Sequence, residues 1–118
     1  HIAIGFAAAE AFRRADDVST LYTLAVPRSL VKSLGMKQIR AVPDEAIALT
    51  VDISAVWDAK MSAIRCHRTQ LGESPILEAP EAKQHLFLGV EHFCLIASRA
   101  TANGKSTNLL RWLLKLSG

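Results

Sequence analysis

The stretch KMSAIRCHRTQ, Lys60 to Gln70, decides how this chain is read. It is the one place where a basic residue, a histidine and a polar pair fall at helical spacing beside an apolar stripe. Upstream, Ile47 to Ile53 (IALTVDI) alternates apolar with small or polar residues, the period of a strand. Asp52 or Ser54 then caps a helix that carries the stretch. On that helix Trp57, Met61, Ile64 and Leu71 form the apolar stripe, and Lys60 and His67 lie on nearly one meridian at its edge. The two could share a site. Spacing alone names no reaction, and an exposed lysine beside a hydrogen-bonded, half-buried histidine satisfies the same pattern.

Working outward, helix and strand alternate, which is the order of an α/β layered fold. Toward the N-terminus, Ile2 to Ala15 reads as a helix, with Ile2, Phe6, Ala9 and Phe12 or Arg13 recurring at three- and four-residue steps. Glu10 precedes Arg14 by four residues, the favourable order for an ion pair, and Asp16 and Asp17 end the helix. Thr20 to Val26 is β-branched and aromatic and stops at Pro27, so it reads as a strand; its poor alternation predicts that both faces are covered. Arg28 to Leu34 is a brief helix closed by Gly35. Toward the C-terminus, 72–80 is a loop with two prolines, and Pro80 opens a helix that ends near Gly89. Val90 to Ala97 is a strand. A turn at Asn103-Gly104 and an apolar helix over Thr107 to Leu116 complete the chain.

Composition bounds the function classes. The 118 residues are 50% hydrophobic and 21% charged, ordinary for one globular domain. The net charge is +3, but the 14 Lys and Arg are scattered, which argues against a nucleic-acid partner. Cys66 and Cys94 lie far apart and form no CxxC pair, so a reduced, cytoplasmic setting is expected without a disulfide framework. No apolar run approaches the roughly 20 residues of a spanning helix, so no membrane span is expected. The chain begins at His1 without an initiator Met, which fits either a tag remnant or a start partway through a gene.

Several apparent motifs carry no function. NGKST at Asn103 to Thr107 matches the end of a phosphate-binding loop, but Arg99 stands where that loop needs its first glycine. LLRWLLKL, Leu109 to Leu116, is short for membrane binding and reads as a docking helix. Neighbouring helix residues diverge, so Cys66 and His67 make a poor metal pair. His85 and His92 are separated by Gly89 and read as surface or half-buried imidazoles.

The run VDISAVWDAKMSAIRCHRTQ, Val51 to Gln70, resembles the late signature of the PIG-L or LmbE-like family of zinc-dependent de-N-acetylases. In that family a strand ending in Asp-x-Ser leads into a helix carrying Lys, Ala, His and Ser-Gln. Here Asp52, Ser54, Lys60, Ala63, His67, Thr69 and Gln70 stand at those places, with Thr69 replacing serine. HIAIGFAAAEAFRRADD at the start resembles the family's helix that opens at the last histidine of its HPDH motif. LYTLAVP at Leu21 to Pro27 and GVEHF at Gly89 to Phe93 resemble two of its strands. The likeness runs from His1 to about Ile96 and fades in the tail.

The resemblance implies the C-terminal half of a Rossmann-like three-layer fold with a mostly parallel sheet, the deacetylase portion filling 1–97 and a tail with an amphipathic helix filling 98–118. It also implies a zinc-assisted amide hydrolase that removes the acetyl group from an N-acetylglucosaminyl substrate. In the family, zinc is held by a His and an Asp of an AHPDD motif and by the last His of HPDH, and a second Asp acts as general base. His1 lands on that last position; AHPDD is absent. The chain as given is therefore expected to be an inactive portion of such an enzyme, with no catalytic residue of its own. Lys60, His67, Thr69 and Gln70 are expected to brace the fold or the metal site. A portion of this kind is expected to be marginally stable, to self-associate, or to need the N-terminal half or another chain. The contrasting expectation is a complete small α/β binding or interaction protein without catalysis.

Overall fold

The computed structural model describes residues 2–37, 39–72 and 74–99. In chain order these form α1 (Ile2–Arg14), β1 (Thr20–Ala25), α2 (Arg28–Leu34), β2 (Leu49–Asp52), α3 (Trp57–Cys66), α4 (Arg68–Leu71), α5 (Pro75–Glu78), α6 (Glu81–Leu88) and β3 (Val90–Ser98). Short 3-10 turns at Asp44–Ala46 and Ser54–Val56 precede β2 and α3. The chain divides into two compact units, one of His1–Thr23 with Cys94–Gly118 and one of Leu24–Phe93.

In the first unit Ala9 and Phe12 are the buried residues of α1, three apart as a helix face requires, and Ile96 and Ala97 are buried on β3. Ile2, Ile4 and Phe6 remain exposed, so only the C-terminal half of the expected stripe is covered. Arg99 closes this unit: its guanidinium sits 4.5 Å above the Phe12 ring and donates to the Phe12 carbonyl, and its backbone N–H donates to Ser19 O at 2.8 Å. On the outer face of α1, Glu10 accepts from Arg13 at 2.8 Å and from Arg14 at 2.6 Å. These hydrogen bonds hold its carboxyl down at about 2, Arg13 first and Arg14 second.

In the second unit α2 ends as its glycine requires. Gly35 adopts φ 66°, its N–H bonds Lys32 O, and Met36 N–H bonds Val31 O, which together satisfy the last carbonyls. Val42 then runs beside Pro27, with Arg28 N–H donating to Val42 O and Val42 N–H to Val26 O, both at 2.9 Å. Further on, Ile53 and Met61 are buried.

β3 lies in the middle of a three-stranded sheet ordered β1-β3-β2. It runs antiparallel to β2 in the register Leu49↔Phe93, Thr50↔His92, Val51↔Glu91 and Asp52↔Val90. The expected mostly parallel sheet is thus corrected to a small antiparallel one within an α/β chain. The reason lies in the connection between β2 and β3. β2 ends at Asp52 and β3 begins at its partner Val90, and Ile53 N–H bonds Gly89 O at 3.0 Å. The intervening helices leave and return at the same end of the strand pair, so the strands must oppose. A parallel pair needs a crossover that carries the chain to the opposite end.

Three smaller expectations also change. β1 exposes Tyr22 and Leu24, so alternate residues face solvent where coverage of both faces was expected. The loop over 72–80 contains the short helix α5. The helix through Lys60 to Gln70 is interrupted at His67, which has φ −81° and ψ 52°. The expected turn at Asn103-Gly104 and the helix over Thr107 to Leu116 lie outside the described residues.

Gly89 joins α6 to β3 with no spare residue, and a Cβ there would meet the His85 carbonyl oxygen at 2.5 Å. Gly89→Ala is expected to destabilise the fold by about 1–3 kcal/mol, the usual cost of overpacking. A lowered urea midpoint at unchanged m-value checks this, and an unchanged midpoint contradicts it.

Candidate functional site

Asp52, Ser54, Lys60 and Glu91, from two of the strings that drew attention in the sequence, meet at one corner of the second unit. Asp52, at the end of β2, turns its carboxylate onto the following turn: Oδ1 accepts from Ser54 N–H at 2.8 Å and from the Ser54 hydroxyl. This local pair shapes the 3-10 turn Ser54–Val56, and the expected capping of the helix by Asp52 or Ser54 is corrected: α3 starts at Trp57 after Val56, with no side-chain cap bond at its N-terminus. The pair lowers the Asp52 carboxyl below the ordinary carboxylate value, the Ser54 hydroxyl being the larger cause and its N–H the second.

From α3, Lys60 reaches the start of β3. Its Nζ donates to Leu88 O at 2.7 Å and to Glu91 Oε1 at 2.9 Å, with the two side chains 22% and 34% exposed. Leu88 is the last residue of α6, where carbonyls lack helical partners and a cation is favoured. Next to Glu91, His92 places Nδ1 3.2 Å from Thr50 Oγ1 across the strand pair. Behind the corner, Trp57 stacks on His85 with ring centroids 3.8 Å apart and an interplanar angle of 23°. Glu81 Oε1 is 3.5 Å from His85 Nε2.

Lys60 and His67 do not share a meridian. The break at His67 ends α3, and His67 is exposed, bonded through its backbone N–H to Ile64 O at 3.0 Å. Thr69 is exposed on α4, Gln70 lies in α4 and its side chain is outside the described residues, as is His1. Sequence reasoning missed the Lys60–Glu91 pair and the Trp57–His85 stack. Glu91 was visible only as part of GVEHF, and nothing local marks its partner.

Among the described residues no group of three or more His, Cys, Asp or Glu side chains is placed to hold a metal ion, whereas a catalytic zinc needs three protein ligands.

Comparison with known proteins gives one functional pointer. A deacetylase is similar to this chain. It is the 1D-myo-inositol 2-acetamido-2-deoxy-alpha-D-glucopyranoside deacetylase of Acidothermus cellulolyticus, 29% identical over 109 residues, covering 75% of this chain. The chain spans 37% of that protein's length. No family model matches the chain, and no solved structure matches it. Among the described residues no helix is long and apolar enough to cross a membrane.

Two measurements probe the corner. Lys60→Met strips the Leu88 carbonyl and Glu91 of their shared donor. The pair lies between an exposed ion pair, about 0–1 kcal/mol, and a buried charged hydrogen bond, about 1.5–3 kcal/mol. A loss of about 1–2 kcal/mol in urea unfolding is expected, and a change within error contradicts the role given to this ammonium. For Asp52 the folded value is lowered, so its contribution is fully present above the ordinary carboxylate value and is lost as pH falls through the lowered one. Asp52→Asn keeps a capping oxygen but cannot titrate. Its stability is expected to fall less steeply than the parent's on acidification, and parallel curves would contradict the assignment.

Proposed function

We propose that this chain is the C-terminal portion of a zinc-dependent de-N-acetylase of the PIG-L or LmbE-like kind, acting on an N-acetylglucosaminyl substrate. The observation that carries the proposal is its similarity to a deacetylase whose substrate is an acetamido sugar linked to inositol. The order of VDIS, Lys60, His67 with Gln70, and GVEHF along the chain supports the same family.

In this reading hydrolysis belongs to a longer polypeptide that brings the remaining ligands and the base to His1, in keeping with a chain that spans 37% of its relative's length. When bound there, zinc supplies a polarised water as nucleophile. Within this chain Lys60 holds α3 to the start of β3, and His67, Thr69 and Gln70 are assigned a structural rather than a catalytic part. A cytoplasmic setting belongs to the same proposal.

The deciding experiment compares acetate release from N-acetylglucosaminyl-inositol by the 118-residue chain and by the same chain extended with an AHPDD-bearing N-terminal half. Turnover is expected only in the extended protein, and only with zinc. Turnover by the chain alone, or by neither, overturns the proposal. In the extended protein His67→Ala is expected to leave measurable activity and full zinc content; complete loss at unchanged stability and zinc content would make His67 a catalytic residue instead.

A further inference from the structure

An open cleft of about 540 Å³ lies between α3 and α6, lined by neither Lys60 nor Glu91. Small-molecule sites span about 300–1,000 Å³, so the space suits a sugar ring or two. α3 presents Trp57 and Asp58 at its start and Arg65 two turns later, with Ser62 between them; α6 contributes Glu81 and Gln84. Buried Met61 also lines the cleft.

Two of these groups are fixed in place. Trp57 is held by its stack on His85. Gln84 directs Nε2 at two carbonyls, Leu77 O at 3.0 Å and Ala79 O at 2.8 Å. Both amide protons are thereby engaged, which sets the orientation of the group and leaves Oε1 as an acceptor. The cleft therefore combines an apolar aromatic wall with acceptors on Asp58, Glu81 and Gln84 and donors on Ser62 and Arg65. Two carboxylates against one guanidinium give it a net charge of −1, so a cation is preferred over a neutral or anionic ligand. An aromatic face beside carboxylates also suits an ammonium group.

We propose that this cleft binds a free amino sugar, with the pyranose ring against Trp57 and the ammonium toward Asp58 and Glu81. Resting on the deacetylase function, this is the chemical class of the product of deacetylation. The acetylated substrate lacks the cation and binds less well.

The test is titration of glucosamine into the ¹⁵N-labelled 118-residue chain, followed at the Trp57 indole N–H, with Trp57→Phe used to assign that resonance. Saturable shifts are expected. They should weaken at least tenfold in the double variant Asp58→Asn, Glu81→Gln, both exposed positions, with the sugar-free spectrum of the variant as the reference because Glu81 also contacts His85 beneath Trp57. N-acetylglucosamine should bind at least several-fold more weakly than glucosamine. Absence of saturable shifts, shifts that survive the double substitution, or equal binding of the two sugars would each overturn the proposal. Because no turnover is measured, failure here is distinguishable from failure of the deacetylase assignment.

Discussion

One ammonium group holds the corner on which the larger unit depends. Lys60 Nζ bonds the final carbonyl of α6 and the carboxylate of Glu91 on β3, drawing a helix end and a strand start onto α3. Gly89 sits between those two partners with no room for a Cβ, and Val90 immediately pairs with Asp52. The end of one helix, the register of the strand pair and the position of a second helix are thus fixed within a few residues. A charged donor suits this place because a helix C-terminus concentrates unpaired carbonyls and partial negative charge. With both partners polar and the pair mostly sheltered, loss of the donor leaves acceptors without a replacement of equal strength.

Charge is used differently elsewhere. Glu10 draws two arginines together on the outer face of α1, yet all three side chains are well exposed, at 43%, 65% and 73%, and water screens most of the gain. Arg99 contributes more through geometry, since it covers the Phe12 ring while bonding the Phe12 carbonyl and, through its backbone, Ser19. Asp52 closes a local turn onto Ser54, whereas Asp44 reaches the start of α2 from 15 residues away. Asp44 Oδ1 accepts Ser29 N–H at 3.0 Å, and this backbone bond is the main cause of its lowered carboxyl value.

The functional likeness and the geometry point to a division of labour. At the corner the polar side chains engage one another: Asp52 with Ser54, and Lys60 with Glu91. Side chains committed to such bonds are suited to holding a shape. The cleft between α3 and α6 is the opposite case, a concave surface where carboxylates, an indole and an oriented amide face open space.

The sequence by itself determined the local elements. Three- and four-residue spacing placed α1, Gly35 closed α2, and the β-branched run before Pro27 became β1. VEHFCLIA marked β3, whereas the helix cap expected at Asp52 or Ser54 fell instead at Val56, because a 3-10 turn intervenes. The tertiary structure alone decided strand direction and partner choice. The helix–strand alternation was compatible with a parallel sheet; the return of the chain from Asp52 to Val90 at one end made the pair antiparallel. Lys60 found Glu91 across 31 residues, and Arg99 found Phe12 across 87. Periodicity and capping belong to a single segment and can be read along it. Which segments meet depends on how the connections between them close, and no residue pattern within either partner records that.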